Sequence, residues 1–415
     1  MSHLISGSAF GTTQTSKFLI DAGGRQRVSQ ITTLGDYKHL GGANQLLMNS
    51  VQVGTGTGAL TASVPGFTMT TSATNDVSIH QTKQFHVYES GKSQVVEETM
   101  MRFELQTNVI KRVGYFSTST ASPYSANRDG FWLESNGVLG DYYFVVEKDG
   151  VETVRVIRGD WDDPLNGTGE SGIDADWFNF NVITFDFLWL GGTDFSFYYK
   201  YNNYFYLANR YSHAGNALSP AILSPSQPVR YEMEQSGAGS GVLIMVCATV
   251  GTEGSLNSLG VDHEVGTSLA RIQANSASAI YAIVGYRLQS TRRDAVTRID
   301  SAEMAELSGP NNNYMWEIRL NPVVAGTFAY SDFPNSGIQV AIGDTAGSPS
   351  TNTVTGGIVL HRGYGSDAIP VSIPINLALA AGSTIDGVSD TIVLCVQPDS
   401  ANQDIVGNMS IFEHL

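Results

Sequence analysis

Glu232 and Glu234 stand two positions apart in PVRYEME, so on an extended strand both carboxylates point to one face at roughly 7 Å spacing. Paired carboxyl groups are the chemistry of glycoside hydrolysis, where a retaining pair lies about 5 Å apart. The sandwich-glucanase pattern E-[I/L]-D-x-x-E is absent, because the residues here read EMEQSG, and no G-x-S-x-G elbow occurs. Hydrolysis is therefore the weaker reading. Asp160, Asp162 and Asp163 in DWDDPLNGTG, with Asp174 and Asp176 close behind, group hard oxygens that calcium favours. Their order does not fit an EF-hand loop. The competing reading is a turn-rich surface loop closed by its own Asx turns.

Other chemistries find less support. The 8 histidines are scattered, only His80 and His86 lie close together, and no HExxH or Cys/His ligand spacing occurs. Gly91-Lys92-Ser93 lacks the glycine a phosphate loop needs five residues earlier, where His86 stands. Gly54, Gly56 and Gly58 have no strand-to-helix context. No cofactor is expected, and the chain is read as a non-enzyme. Aromatic rings are the more positive signal: Trp161, Trp177, Tyr198, Tyr199, Tyr201, Tyr204 and Tyr206 fall in one stretch. Rings that face outward stack on sugars or anchor interfaces; rings that face inward are core and subunit packing.

The elements that must position these residues are strands. Ile183, Phe185, Phe187 and Trp189 alternate with Thr184 and Asp186, the period of two of a half-buried strand. Gly191-Gly192 marks a turn, the alternation resumes at Phe195, Phe197, Tyr199 and Tyr201, and Asn202-Asn203 turns the chain into Tyr204, Tyr206 and Ala208. Further strands are expected at Met100–Glu104, Val109–Phe116, Gly130–Glu134, Tyr142–Glu147, Thr153–Arg158, Val229–Met233 and Val242–Thr249. A second β-rich region begins near Ala279, with strands at Tyr281–Leu288, Tyr314–Leu320, Gly357–Arg362 and Ile392–Val396. Asp300–Leu307 reads as a short helix, with Asp300 at the N-cap and Glu303 three residues on. The fold class is all-β: an antiparallel β-sandwich (jelly-roll or concanavalin-like) over 76–255, a smaller β-rich C-terminal domain over 256–415, and a Gly/Ser/Thr-rich extended arm over 1–75.

Composition agrees. Charged residues are 15% of the 415, against about a quarter in an average globular protein, and 44 glycines help take their place. The net charge of −16 argues against a nucleic-acid partner, since the densest basic spot, Arg287–Arg298, is short and interrupted by Asp294. Met1–Phe10 has neither a basic segment nor an apolar core, so no signal peptide is expected, and no run approaches the ~18–20 apolar residues of a membrane span. Cys247 and Cys395 each sit in an apolar run and are read as free thiols, a disulfide between them being the less favoured alternative.

Several segments carry a resemblance, in order: QTKQFHVYESGKSQ from Gln81, NVIKRVGYF at Asn108–Phe116, DGFWLE at Asp129–Glu134, DWDDPLNGTGESGIDAD at Asp160–Asp176, ITFDFLWLG at Ile183–Gly191, HAGN at His213–Asn216, PVRYEME at Pro228–Glu234 and the terminal DTIVLCVQPDSANQDIVGNMSIFEHL. Together they make the chain similar to virion structural proteins of tailed phages, particularly marine and environmental ones. The resemblance implies a virion location as a fibre, spike or capsid-decoration protein with a lectin-like sandwich and no catalytic residues. It implies a homo-oligomer, expected as a trimer, in contact with major capsid or tail proteins and with host-surface glycan, without membrane insertion. The alternative is a glycan-active enzyme or carbohydrate-binding module on the same scaffold.

Overall fold

Period-two patterning has produced what it predicts. The computed structural model describes residues 21–414 apart from 23, 27–28, 40–45, 62–65, 191–193, 216–217, 256–258, 309–311, 346–348, 367–370 and 375–380, with backbone alone at 371–374. It is all-β and divides into two units, 1–257 and 258–415. The single helical element among the described residues is the 3₁₀ turn Arg158–Asp160.

The first unit is a sandwich of two antiparallel sheets. One runs in the order Tyr204–Ser212, Asp194–Tyr201, Asn181–Leu188, Gln94–Met101, Gly241–Glu253, Gly66–Thr71, Thr57–Thr61, with Ile31–Lys38 also paired to Gly241–Glu253. The other runs Val151–Ile157, Asp141–Lys148, Asp129–Asn136, Val109–Ser117, Val229–Gln235, Val77–Thr82, Met48–Val53. Ile183, Phe185 and Phe187 lie opposite Tyr199, Phe197 and Phe195, and all six rings and chains enter one core. Val113, Tyr115, Phe131, Leu133, Tyr231 and Met233 meet them from the other sheet. Asn202 and Asn203 take φ of 46° and 68° in the two-residue turn between Tyr201 and its partner Tyr204, the left-handed pair this tight hairpin needs. The Gly191-Gly192 turn lies outside the described residues.

Two expectations are corrected. Residues 31–71 supply four strands to the sandwich, not an extended arm, because alternation persists within the Thr-rich text: Phe67, Met69 and Thr71 are buried along GFTMTT. Residues 1–20 of that arm lie outside the described residues. Asp300–Leu307 is not a helix either. Thr297–Glu306 is a strand that buries Thr297, Ile299, Ala302, Met304 and Glu306, and it pairs along the long strand Gln403–His414. That partner supplies backbone hydrogen bonds which outweigh a local capping signal.

Besides the two-stranded sheet of Val323–Val324 with Val354–Thr355, the described residues of the second unit form two larger sheets. One contains Gly260–Gly266, Gln403–His414, Thr297–Glu306 and Val371–Pro374, with Ile272–Ala274 also on the long strand. The other runs Ser331–Asp332, Ile338–Ile342, Tyr281–Leu288, Thr391–Pro398, Asn313–Leu320, Ile358–Ser366. Tyr314 joins them by donating its hydroxyl proton to the Met304 carbonyl at 3.1 Å. Cys247 is half-buried, Cys395 is buried, and both thiols are free.

Candidate functional site

The face of the seven-stranded sheet turned away from the core carries the charges. Along Val229–Gln235, Val229, Tyr231 and Met233 point inward, so Arg230, Glu232 and Glu234 point outward. Arg112 on the neighbouring strand donates to Glu134 (3.0 Å), Glu232 (2.7 Å) and Glu234 (2.8 Å). Arg128 reaches Glu232 at 2.8 Å and Glu234 at 2.9 Å, Arg230 donates to Glu232 at 2.6 Å, and Arg155 to Glu134 at 2.7 Å. Burial alone would raise the Glu134 carboxyl, but Arg112 and Arg155 outweigh it and hold it down at about 2. Glu232 is likewise buried, and Arg128, Arg230 and Arg112 together lower it well beneath the carboxylate range. A carboxylate held ionised by three guanidinium groups is a poor proton donor at neutral pH. The glutamate pair that sequence spacing offers for acid–base work is thus closed into a ladder of ions.

The aspartate loop diverges in the same self-contained way. Asp163 is fully buried and accepts the backbone N–H of Leu165 (3.1 Å) and Ser171 (2.8 Å), whereas Asp160 and Asp162 are exposed. Asp163 therefore staples the loop, and no group of three metal-ligating side chains occurs among the described residues. His80 and His86 are also separated in role. His80 is stacked on Phe67 and bonded to Ser50, while His86 meets the Tyr37 hydroxyl at 2.7 Å. Lys92 of the Gly91-Lys92-Ser93 triplet is spent on the Ser255 carbonyl, and Ser93 bonds Asp186.

The predicted aromatics split into two sets. Trp161, Trp177 and Tyr199 are core residues: Trp161 stands edge-on to Phe197, and Trp177 packs between Phe103 and Tyr199. Their indole and phenol groups turn inward because odd positions of this strand face the core and the Trp177 loop folds over its end. The backbone N–H of Phe103 fixes that loop by donating to the Trp177 carbonyl at 2.8 Å. Tyr206 is half-buried against the same core. Tyr201 and Tyr204 remain exposed, 44% and 56%, at the hairpin tip.

The loop entering Asn181–Leu188 adds two rings that the sequence reading passed over. Phe178 and Phe180 are 51% and 55% exposed, at the same end of the eight-stranded sheet as Tyr201 and Tyr204. The signal available was the triplet Phe178-Asn179-Phe180, a ring, an amide and a ring directly after a buried Trp177. Phe178 is held under the Arg102 guanidinium, 4.5 Å from its ring centre, and its N–H donates to Asp176 at 3.0 Å. Asn179 donates to Asp176 at 2.5 Å, so the loop's amides and rings are ordered together. Four exposed rings, with the exposed Asn179, Asn202 and Asn203, thus make up the rim at this end of the sheet.

No protein-family model matches the sequence, and no curated protein matches it. Among solved structures, the chain is similar to a Shewanella oneidensis MR-1 protein of unknown function, with 9% identity and a TM-score of 0.35 over 55% of this chain and 92% of that one. It is similar to the carbohydrate recognition domain of Emp47p at 12% identity and a TM-score of 0.33, over 55% and 98% of the two chains. It is also similar to a legume lectin-like domain from Entamoeba histolytica at 8% identity and a TM-score of 0.33, over 55% and 100%.

Proposed function

We propose that this chain is a non-enzymatic recognition protein that grips carbohydrate through the aromatic rim of its first unit. The rim itself supports the reading: Phe178, Phe180, Tyr201 and Tyr204 are exposed together, with exposed asparagine amides between them. Aromatic faces stack on the C–H faces of sugars, while amides both donate and accept toward hydroxyls. Tyrosine with asparagine is also the composition of recognition loops, because rigid rings add contact area at small entropic cost. Hydrolysis is disfavoured by the ion-paired state of Glu232 and Glu234. A glycan array with the full-length protein tests this, together with a reducing-end assay on every glycan retained. Binding without turnover, weakened in the Y201A/Y204A variant, is expected. Turnover, or binding indifferent to both tyrosines, overturns the reading.

A second reading has its own observation. Among the described residues Ile358–Ser366 is the last strand of its sheet, and it leaves Ile358 and Val359 48% and 38% exposed. Uncovered apolar edge strands invite pairing with another chain. This favours a subunit of a larger assembly, in line with the resemblance to tailed-phage virion proteins, as a homotrimer or against capsid or tail proteins. Light scattering decides: a stable multiple of 44.6 kDa at low concentration supports it, and a persistent monomer counts against self-assembly.

A further inference from the structure

The second unit contains a groove of about 770 Å³, within the size range of small-molecule sites. Three neighbouring strands build its floor in exact register. Met315 lies opposite Tyr364 on one side and opposite Gln397 on the other, so these three side chains share one face of the sheet. Two strand spacings, about 10 Å, separate Tyr364 from Gln397.

The backing of Tyr364 shows that its outward position is built in. A Cβ at Gly363 would lie 2.3 Å from Trp316 Cζ2, and one at Gly365 would lie 2.4 Å from Tyr314 Cζ. Only glycine fits at either position, because the two buried rings press flat against the strand from the other face. Tyr314 is itself pinned by its bond to the Met304 carbonyl. Tyr364 alone of the Gly-Tyr-Gly triplet projects, 77% exposed, from a strand that is clamped beneath it.

The polar groups around it are pre-oriented too. Gln397 donates to the Ala277 carbonyl at 2.8 Å. Asp399 accepts from the Asn313 backbone and side chain, both at 3.1 Å, and from Gln403 at 2.6 Å. No lysine or arginine is among the described residues lining the groove, so nothing there neutralises an anion. An exposed ring, a fixed amide pair and one carboxylate suit a ligand with an apolar face and several hydroxyls.

We propose that this groove is a binding site for a neutral saccharide, with Tyr364 as the stacking platform and Gln397, Asn313 and Asp399 as hydroxyl partners. The site is independent of the aromatic rim in the first unit. Saturation-transfer difference NMR on the full-length protein tests it, using methyl glycosides of neutral hexoses and N-acetylhexosamines with sialic acid as the anionic control. Neutral glycosides bind and sialic acid does not. In the Y201A/Y204A background, where the rim is removed, saturation transfer to the neutral glycosides persists; adding Y364A weakens it about tenfold or more, and adding Y364F preserves it. Absence of binding by every neutral glycoside, binding in the Y201A/Y204A background that Y364A does not weaken, or equal binding of sialic acid overturns the proposal. Loss in Y201A/Y204A with Y364A unaffected places recognition on the rim alone; loss in Y364A alone leaves this groove standing without the rim. Because Tyr364 is exposed, Y364A melts as the wild type does, and a matched thermal scan confirms that a lost signal is a lost contact.

Discussion

Glu232 and Glu234 share one nitrogen: Arg112 Nη1 lies 2.7 Å from the first and 2.8 Å from the second. One guanidinium thus binds together two side chains of the adjacent strand and, through its Nε, Glu134 on the other side. R112A leaves three carboxylates short of a counter-charge in a buried setting. A loss of about 3–5 kcal/mol is expected, the usual cost of removing one partner of a buried ion pair. Urea unfolding measures it. A change under about 1 kcal/mol would mean that solvent reaches the ladder freely.

Glu98 faces the core with no exposed surface, and burial, opposed by the Tyr231 hydroxyl, raises its carboxyl well above the ordinary range. The folded state therefore holds a proton that the unfolded chain releases near pH 4.3. Stability is fully present below that value and falls as pH rises toward the folded value. E98Q removes the titration. The expected outcome is a higher Tm than wild type at pH 8 and near-equality at pH 4, and a parallel offset at both would contradict it.

Histidines give the opposite slope at lower pH. Burial lowers His39 and His80, the latter also through His39, and takes His86 down to about 4. The unfolded chain binds these protons near pH 6.5, so their share of stability is lost as pH falls from there toward 4. Denaturation midpoints between pH 7.5 and 4.5 read the effect. An H86Q variant, keeping a polar partner for Tyr37, should show a shallower decline than wild type.

Tyr201 and Tyr204, the residues proposed to hold glycan, are exposed and carry little structural duty. Y201A/Y204A is expected to change folding free energy by less than about 1 kcal/mol, as exposed positions do, while weakening glycan retention. W177A is the contrast: truncating a ring packed on Phe103 and Tyr199 should cost about 3–5 kcal/mol. Comparable losses in both would make the rim tyrosines part of the core.

Fold class was legible because alternation is a local property. The strand from Asn181 declares its inward face through Ile183, Phe185 and Phe187, and the Asn202-Asn203 turn announces itself by residue type. Asp300–Leu307 misled for the converse reason, since its strand state is decided by Gln403–His414, far along the chain. The charge ladder was half visible. Glu232 and Glu234 stand out in the sequence, but nothing local shows that Arg112 and Arg128, 120 and 104 residues away, neutralise Glu232. For Trp161 and Trp177 the sequence favours packing over outward display without deciding it, and the structure places both in the core, apart from the exposed Phe178 and Phe180.

The long strand Gln403–His414 also carries a kinetic consequence. It is the axis of its sheet, bonded to Gly260–Gly266, Ile272–Ala274 and Thr297–Glu306, and its Glu413 meets His263 across 150 residues of chain. Until that strand is in place, Gly260–Gly266 and Ile272–Ala274 have no strand to pair with in this sheet, and Thr297–Glu306 has only the short Val371–Pro374. Loops this long must close before any of those pairings repays the entropy lost, so the second unit should acquire structure late and slowly, as non-local β-topologies do. Its unpaired strands would meanwhile be open to pairing with other chains, which makes dilute, cool refolding the route to an active preparation.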